Sequence, residues 1–344
     1  MIGTKHVLVF LMAFSLVASL PVASFGLEQS SKVKVTVTIG ALEQFVLGVG
    51  GDRVAVTSIA PPSVDPHDVS FDPSMVDEAL SSQLVVSSGH VAWEYQLEQL
   101  AAERKGVPFS YFGIDLYRDL SGNLTFLDVP GGTGYNIHGY WLLPSNALVI
   151  ATAIELRLEA IDPGSSAIYR SNLQNFFARV AGLQGLIDST MSARHLEGAG
   201  VAVAFYEEQY LAYSFGLNVS IVLIGEGQEV SPSTLDQATR GFADGSLKAI
   251  IFADIVQALP VYQSLRSLSQ EGRVPLIPVT VFETAQLPDY VDMMAFDLGS
   301  VSSMQGTYGS LGVDQATYLY AIALLAVLVA AEGVIIFSRW KRNE

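Results

Sequence analysis

Apolar residues fall along this chain in two alternating rhythms. Short β-branched or aliphatic runs at 33–39, 54–59 and 84–87 read as buried strands. Helical patterns lie between and after them. One opens at Asp72-Pro73 and runs through Leu80, with Asp as the cap and Pro at the first position; another covers 93–104. The rhythm then returns, with strands expected at 201–205, 219–225, 249–253 and 274–279 and helices beginning at Glu207 and at Ser231-Pro232. Strand–helix alternation predicts parallel sheets with helices on both faces. The fold class is therefore α/β, with one domain over 33–161 and a second over 197–298.

The segment between the domains has a helical period throughout. A helix over 145–161 is broken at Asp162-Pro163, and the next carries Leu173, Phe176, Phe177, Val180, Leu183, Ile187 and Met191 at spacings of three and four, which predicts one buried face. Gly182 and Gly185 weaken it by about 1 kcal/mol each relative to Ala. Residues 162–196 are thus expected to form a long backbone helix, a stiff connector rather than a hinge.

The ends change the picture. Lys5, the apolar run 7–20 and the small residues after Pro21 read as a signal peptide over 1–26. Residues 299–315 are rich in Gly and Ser and read as a flexible linker. The apolar stretch 316–338, interrupted by Glu332, has the length of a transmembrane helix and is followed by Arg339, Lys341 and Arg342. Basic flanks favour the cytoplasmic side, so the expectation is a single-pass cell-membrane protein, its ectodomain outside and its short tail in the cytoplasm. The sequons at Asn123 and Asn218 fit an exported chain. A net charge of -16 argues against nucleic acid as a partner and suits a cation. The chain has no cysteine, which excludes disulfides, thiolate ligands and a lipid on an N-terminal cysteine.

In open α/β sheets ligands bind beyond the carboxyl ends of the strands, so polar residues just past strands are the candidates. His67 follows 54–59, His90 follows 84–87, and His138 lies in the Gly-rich stretch 131–139. Glu207 and Glu208 follow 201–205, Asp254 follows 249–253, and Glu283 follows 274–279. Imidazole and carboxylate together suit Zn(II) or Mn(II). His195, at the end of the long helix, reads as a surface residue. No nucleophile elbow, phosphate-binding loop or His-Glu-x-x-His helix is present, and the chain is not expected to be an enzyme.

These residues resemble a known family, the metal receptors of zinc and manganese ABC importers that have a rigid helical backbone. The resemblance rests on Gly50-Gly51-Asp52-Arg53-Val54 leading into Asp65-Pro66-His67-Asp68, and on Asn136-Ile137-His138-Gly139-Tyr140-Trp141 running to Pro144. Weaker matches follow at Leu80 to Gly89 with Glu94, at Asp162-Pro163, and at Tyr210 to Leu217. The resemblance implies that His67 and His138 are metal ligands and that an ABC permease is the partner. The family's third His and later acidic ligand are missing here: Phe205-Tyr206-Glu207-Glu208 and the apolar Ile277-Pro278 stand in their places. Glu207 or Glu208 is then the expected substitute for the His, Glu283 or Asp254 for the acid, and His90 a further donor from the first domain. The competing reading is an adhesion or interaction protein of the same fold that has lost metal binding.

Overall fold

The computed structural model describes residues 31–61, 64–225, 229–281, 287 and 289–305. Two four-stranded parallel sheets organise them. The first contains β1 (Val33–Val37), β2 (Val54–Ser58), β3 (Leu84–Ser87) and β4 (Gly113–Asp115), in the order β2-β1-β3-β4. The second contains β7 (Gly200–Val203), β8 (Asn218–Val222), β9 (Ile250–Ala253) and β10 (Leu276–Val279), in the order β10-β9-β7-β8. Read from the second strand of each set, the orders are the same. Both sheets reverse direction of growth at their first strand, which is the switch point where α/β sheets bind ligands. A small antiparallel pair, β5 (Leu127–Asp128) with β6 (Tyr135–Asn136), follows β4 within the first lobe's sequence.

The sequence pattern explains the layers. The inner strands β3 and β9 are buried at every residue, and their runs, LVVS and IIFA, are nearly continuous apolar stretches. The first lobe adds helices α1 (Glu43–Gly50), α2 (Ser74–Leu80), α3 (Ala92–Lys105), α4 (Leu116–Leu120) and α5 (Pro144–Ile161). α2 starts one residue later than expected: Pro73 is its N-cap, and Asp72, one residue before it, accepts the Ser74 N–H through Oδ1 at 2.7 Å. The second lobe carries α7 (Glu207–Ser214), α8 (Pro232–Ala243), α9 (Tyr262–Gly272) and α10 (Tyr290–Ser302).

Between the lobes runs α6 (Ser166–Ala193), 28 residues long, or about 42 Å at 1.5 Å per residue. Its buried face is Phe176, Val180, Leu183, Ile187 and Met191, whereas Phe177, expected on that face, is 40% exposed. The apolar spacing tolerated either rotation, and packing against α1 and α10 chose the one that turns Phe177 outward. Phe45 of α1, Phe176 of α6 and Tyr290 of α10 meet with ring centroids 5.5–6.4 Å apart, joining both lobes to the spine; such pairs contribute about 0.5–1.5 kcal/mol each beyond burial. Polar ties do the same work at the rim. Arg53 reaches Ser165 and Asp162 at 2.8 and 3.3 Å. Arg179 reaches Asp289 and Asp292 at 2.6 and 3.0 Å.

One expectation about the ends needs correction. Residues 299–302 belong to α10 and 303–305 to a following 3-10 turn, not to a flexible linker. Leu298, Val301 and Ser302 are buried there, so packing overrides a Gly/Ser composition. Residues 1–26 and 316–338, read above as signal peptide and membrane segment, lie outside the described residues.

Candidate metal centre

Each candidate side chain is held by identifiable local chemistry. His67 follows β2 in a 3-10 turn, Pro66–Asp68, whose cap Asp65 accepts the His67 N–H at 2.9 Å. Trp93 Nε1 donates to the Pro66 carbonyl at 2.9 Å, so this exposed imidazole sits on a fixed backbone. His90 follows β3 after Gly89. That glycine has φ +72°, and a Cβ there would lie 2.1 Å from Asp115 Oδ1, so only glycine fits. His138 follows the β5–β6 pair, its N–H donated to Asn136 Oδ1 at 2.9 Å. Glu207 is the first residue of α7, beyond the carboxyl end of β7.

The lobes meet at this point. Asn136 Nδ2 donates to Tyr206 O and to Gln209 Oε1, both at 2.8 Å, and Tyr210 Oη donates to Asn136 O at 2.5 Å. The Tyr206 ring stacks on His138 with centroids 5.7 Å apart. Gly139, at φ +78°, lies so close to α7 that a Cβ would fall 2.7 Å from Glu207 Cα. The absence of a side chain at 139 lets Glu207 reach the histidines.

His67, His90, His138 and Glu207 each place one potential ligand atom within 4.8 Å of all the others. His67 Nε2 and His138 Nδ1 are 3.2 Å apart. Two nitrogens on one tetrahedral Zn(II), each at 2.0–2.1 Å, stand about 3.3 Å apart, so this pair is already near ligand spacing. The three imidazole centroids are mutually 5.0–5.4 Å apart. His90 Nε2 is buried and has no hydrogen-bond partner among the described residues, a costly state unless a ligand satisfies it. Burial, then the neighbouring His138 and His67, hold the His90 pKa well below the ordinary imidazole value, which keeps the ring neutral and able to ligate.

A cavity of about 970 Å³ opens from His67, His138 and Glu207 toward α9. Its lining carries the carboxylates of Asp65, Asp68, Glu207, Glu229 and Glu271 and, among the described residues, no Lys or Arg.

The other sequence candidates separate cleanly. Glu208 is fully buried, but its oxygens accept the N–H groups of Phe205 and Ala253, both at 2.7 Å. It braces β7 against β9 and is not one of the gathered donors. Consecutive residues on a helix point about 100° apart, so only one of the two glutamates turns to the histidines. Burial raises the Glu208 pKa to about 7. Asp254 is outside the group; its Oδ1 accepts the Ile255 N–H at 3.1 Å. Glu283 lies outside the described residues. His195 is exposed, as expected, with φ +51°. Sequence reading missed Ser88 and Tyr206, which touch His90 and His138; neither belongs to a motif that spacing reveals.

The architecture is that of a two-lobed binding protein with a helical spine and a donor cluster where the lobes meet. Residues 35–303 match the ZnuA family, described as zinc-uptake complex component A, periplasmic, and the chain belongs to that family. Among its relatives is the iron-binding protein YfeA of Yersinia pestis, 22% identical over 279 residues, covering 80% of this chain and 87% of that one. The manganese ABC transporter substrate-binding lipoprotein ScaA of Streptococcus gordonii is 25% identical over 287 residues, covering 80% and 89%. A solved structure of a zinc-bound ZnuA deletion mutant superimposes with a TM-score of 0.66 at 21% identity, covering 81% of this chain and 100% of that one, which shows the shared fold.

The expected placement as a single-pass cell-membrane protein is corrected by these relationships. The family is described as periplasmic, and relatives such as ScaA are named lipoproteins rather than single-pass membrane proteins. No helix among the described residues is long and apolar enough to cross a membrane. The expectation came from composition and charge at the C-terminus alone, which do not distinguish a spanning segment from other apolar ends.

Proposed function

We propose that this protein is an extracytoplasmic receptor that captures a divalent metal ion and delivers it to the permease of an ABC importer, and that it is a solute-binding protein rather than an enzyme. The carrying observation is the gathering of His67, His90, His138 and Glu207 within 4.8 Å. Three nitrogens and one carboxylate oxygen suit tetrahedral Zn(II), whereas Mn(II) favours sites richer in oxygen. Zn(II) is therefore the first cargo to test. The histidines come from the domain at 33–161 and the glutamate from the domain at 197–298. The spine over 162–196 limits their relative motion to a small closure.

The test is calorimetric titration of the chelator-stripped full-length chain with Zn(II) and Mn(II) at pH 7.5. The expected result is one-to-one binding with Zn(II) preferred, abolished in a His67→Ala/His138→Ala double variant and weakened in His90→Ala. If the wild-type chain binds neither metal more tightly than the double variant does, the reading fails. A family fold serving adhesion or another interaction then takes its place.

A further inference from the structure

His90 differs from the other two histidines in what stands behind it. Its Nδ1 lies 2.6 Å from Ser88 Oγ. Ser88 Oγ in turn lies 2.7 and 2.8 Å from the two carboxylate oxygens of Glu94. Glu94, in the first turn of α3, folds back over the loop and also accepts the backbone N–H groups of Ser88, His90 and Val91 at 3.0, 3.1 and 3.2 Å. The loop is closed from the other side by Tyr140, whose hydroxyl donates to the Ser88 carbonyl at 2.7 Å.

Burial raises the Glu94 pKa, but the Ser88 hydroxyl and three backbone N–H groups all donate to it, which favours the ionised acceptor form. With Glu94 ionised, the proton inventory of this chain of contacts has one solution. A carboxylate surrounded by donors acts as an acceptor, and a serine hydroxyl owns a single proton. The proton of Ser88 Oγ is directed to Glu94, so toward His90 the same oxygen offers only a lone pair. The contact at 2.6 Å is then a hydrogen bond only if His90 Nδ1 carries the proton. In a neutral imidazole the other nitrogen, Nε2, is left with the lone pair. That is the buried atom with no hydrogen-bond partner described above.

We propose that Ser88 and Glu94 are positioning residues that lock His90 as the Nδ1–H tautomer and so present Nε2 to the cation. The role of Nε2 as a ligand rests on the metal-receptor reading; the tautomer lock does not. Outer hydrogen bonds to ligating histidines set their tautomer and orientation and commonly change metal affinity by about 10–100-fold. Here the carboxylate acts through a hydroxyl instead of touching the ring. The relay also explains why a histidine three residues past β3, outside the His67 and His138 motifs, is able to join them: its ring is already turned and correctly protonated before an ion arrives.

The experiment is long-range ¹H–¹⁵N NMR of the histidine side chains in the metal-free full-length chain at pH 7.5. His90 is assigned by its loss in His90→Asn. The wild type is expected to show a protonated Nδ1 and an unprotonated Nε2. Ser88→Ala removes the acceptor and is expected to give a mixture of tautomers and a Zn(II) affinity lower by about 10–100-fold. Ser88→Thr, which keeps the hydroxyl, restores both. Glu94→Gln keeps one acceptor oxygen but sets an NH2 among the N–H donors that the carboxylate accepts, so it is expected to loosen the hold on the Ser88 proton and give a mixture of His90 tautomers. A purely structural role for Ser88 and Glu94 would leave the tautomer unchanged in a variant that still folds. A wild-type His90 protonated at Nε2, or a Ser88→Ala variant with wild-type tautomer and affinity, overturns the proposal. Failure of the metal-receptor reading shows separately, as a wild-type chain that binds no metal while its metal-free tautomer still decides the relay.

Discussion

Substituting Gly139 by Ala probes the contact that lets the two lobes share one site. Two effects follow from the geometry. Gly139 has φ +78°, and a left-handed conformation costs a residue with a Cβ about 1–2 kcal/mol. The new Cβ would also stand 2.7 Å from Glu207 Cα and 2.8 Å from its carbonyl oxygen. Ordinary carbon contacts lie at about 3.5–4.0 Å, so the start of α7 must withdraw by roughly 1 Å. Metal–ligand distances tolerate only about 0.2 Å, so the Glu207 carboxylate leaves bonding range while the three histidines remain. The expected outcome is a Zn(II) Kd raised at least about tenfold, equivalent to about 1.4 kcal/mol, with metal-free stability lower by about 2 kcal/mol. Calorimetry and urea denaturation measure the two quantities. Gly106→Ala is the control. Its φ is +70° and nothing lies within 4 Å of the added Cβ, so it carries the backbone cost without displacing anything and leaves Zn(II) affinity unchanged. A Gly139→Ala chain that binds Zn(II) as tightly as wild type would refute the idea that Glu207 completes the site through this close approach.

Three further outcomes are expected. Zn(II) at a free concentration of 100 times Kd should stabilise the chain by about 2.7 kcal/mol at pH 7.5, and the stabilisation should shrink at pH 5.5, where protons compete for imidazole; thermal unfolding with and without metal at the two pH values reads this, and a pH-independent shift would count against histidine ligation. Burial, with Asp115 adding to it, raises the Glu98 pKa from 4.5 to about 7. The folded chain therefore holds that proton more tightly than the unfolded chain, so this contribution to stability is fully present below pH 4.5 and is lost as pH rises toward 7. Glu98→Gln should flatten that part of the stability–pH curve in denaturant titrations, and an unchanged slope would assign it to another group. Arg179→Ala, which removes the contacts to Asp289 and Asp292 at 2.6 and 3.0 Å, should lower the urea midpoint by an amount corresponding to about 1–2 kcal/mol while leaving Zn(II) affinity intact.

Much of this architecture was legible in the sequence because it depends on signals that act locally. The runs at 84–87 and 250–253 are apolar enough to demand burial on both faces, the β-branched alternation at 33–37 marks a strand, and Asp72-Pro73 and Ser231-Pro232 announce helix starts. Other features were hidden for equally physical reasons. β4 is only Gly113–Asp115, too short to show a period. α10 runs through Gly299 and Ser300, and its helicity comes from burying Met293, Met294 and Leu298 rather than from propensity. At the site, the loop positions of His67, His90 and His138 past strand ends were readable. The choice between Glu207 and Glu208 was not, because it depends on how α7 rotates when Asn136 and Tyr210 clamp it. Ser88 carries no signal of its own; its part depends on the carboxylate of Glu94 folding back from the next helix.

The cavity beside the histidines bears on kinetics as well as on affinity. With the carboxylates of Asp65, Asp68, Glu207, Glu229 and Glu271 on its walls and no basic side chain among its described lining, it forms a field of one sign that draws cations inward and turns anions away. Arrival of a hydrated ion should therefore slow as salt screens that field, over the roughly 8 Å Debye length of physiological solution. A metal held in a negatively charged complex, such as citrate, should be repelled before any ligand bond forms. Walls of this charge would sort cargo by net charge ahead of any selection made by imidazole and carboxylate.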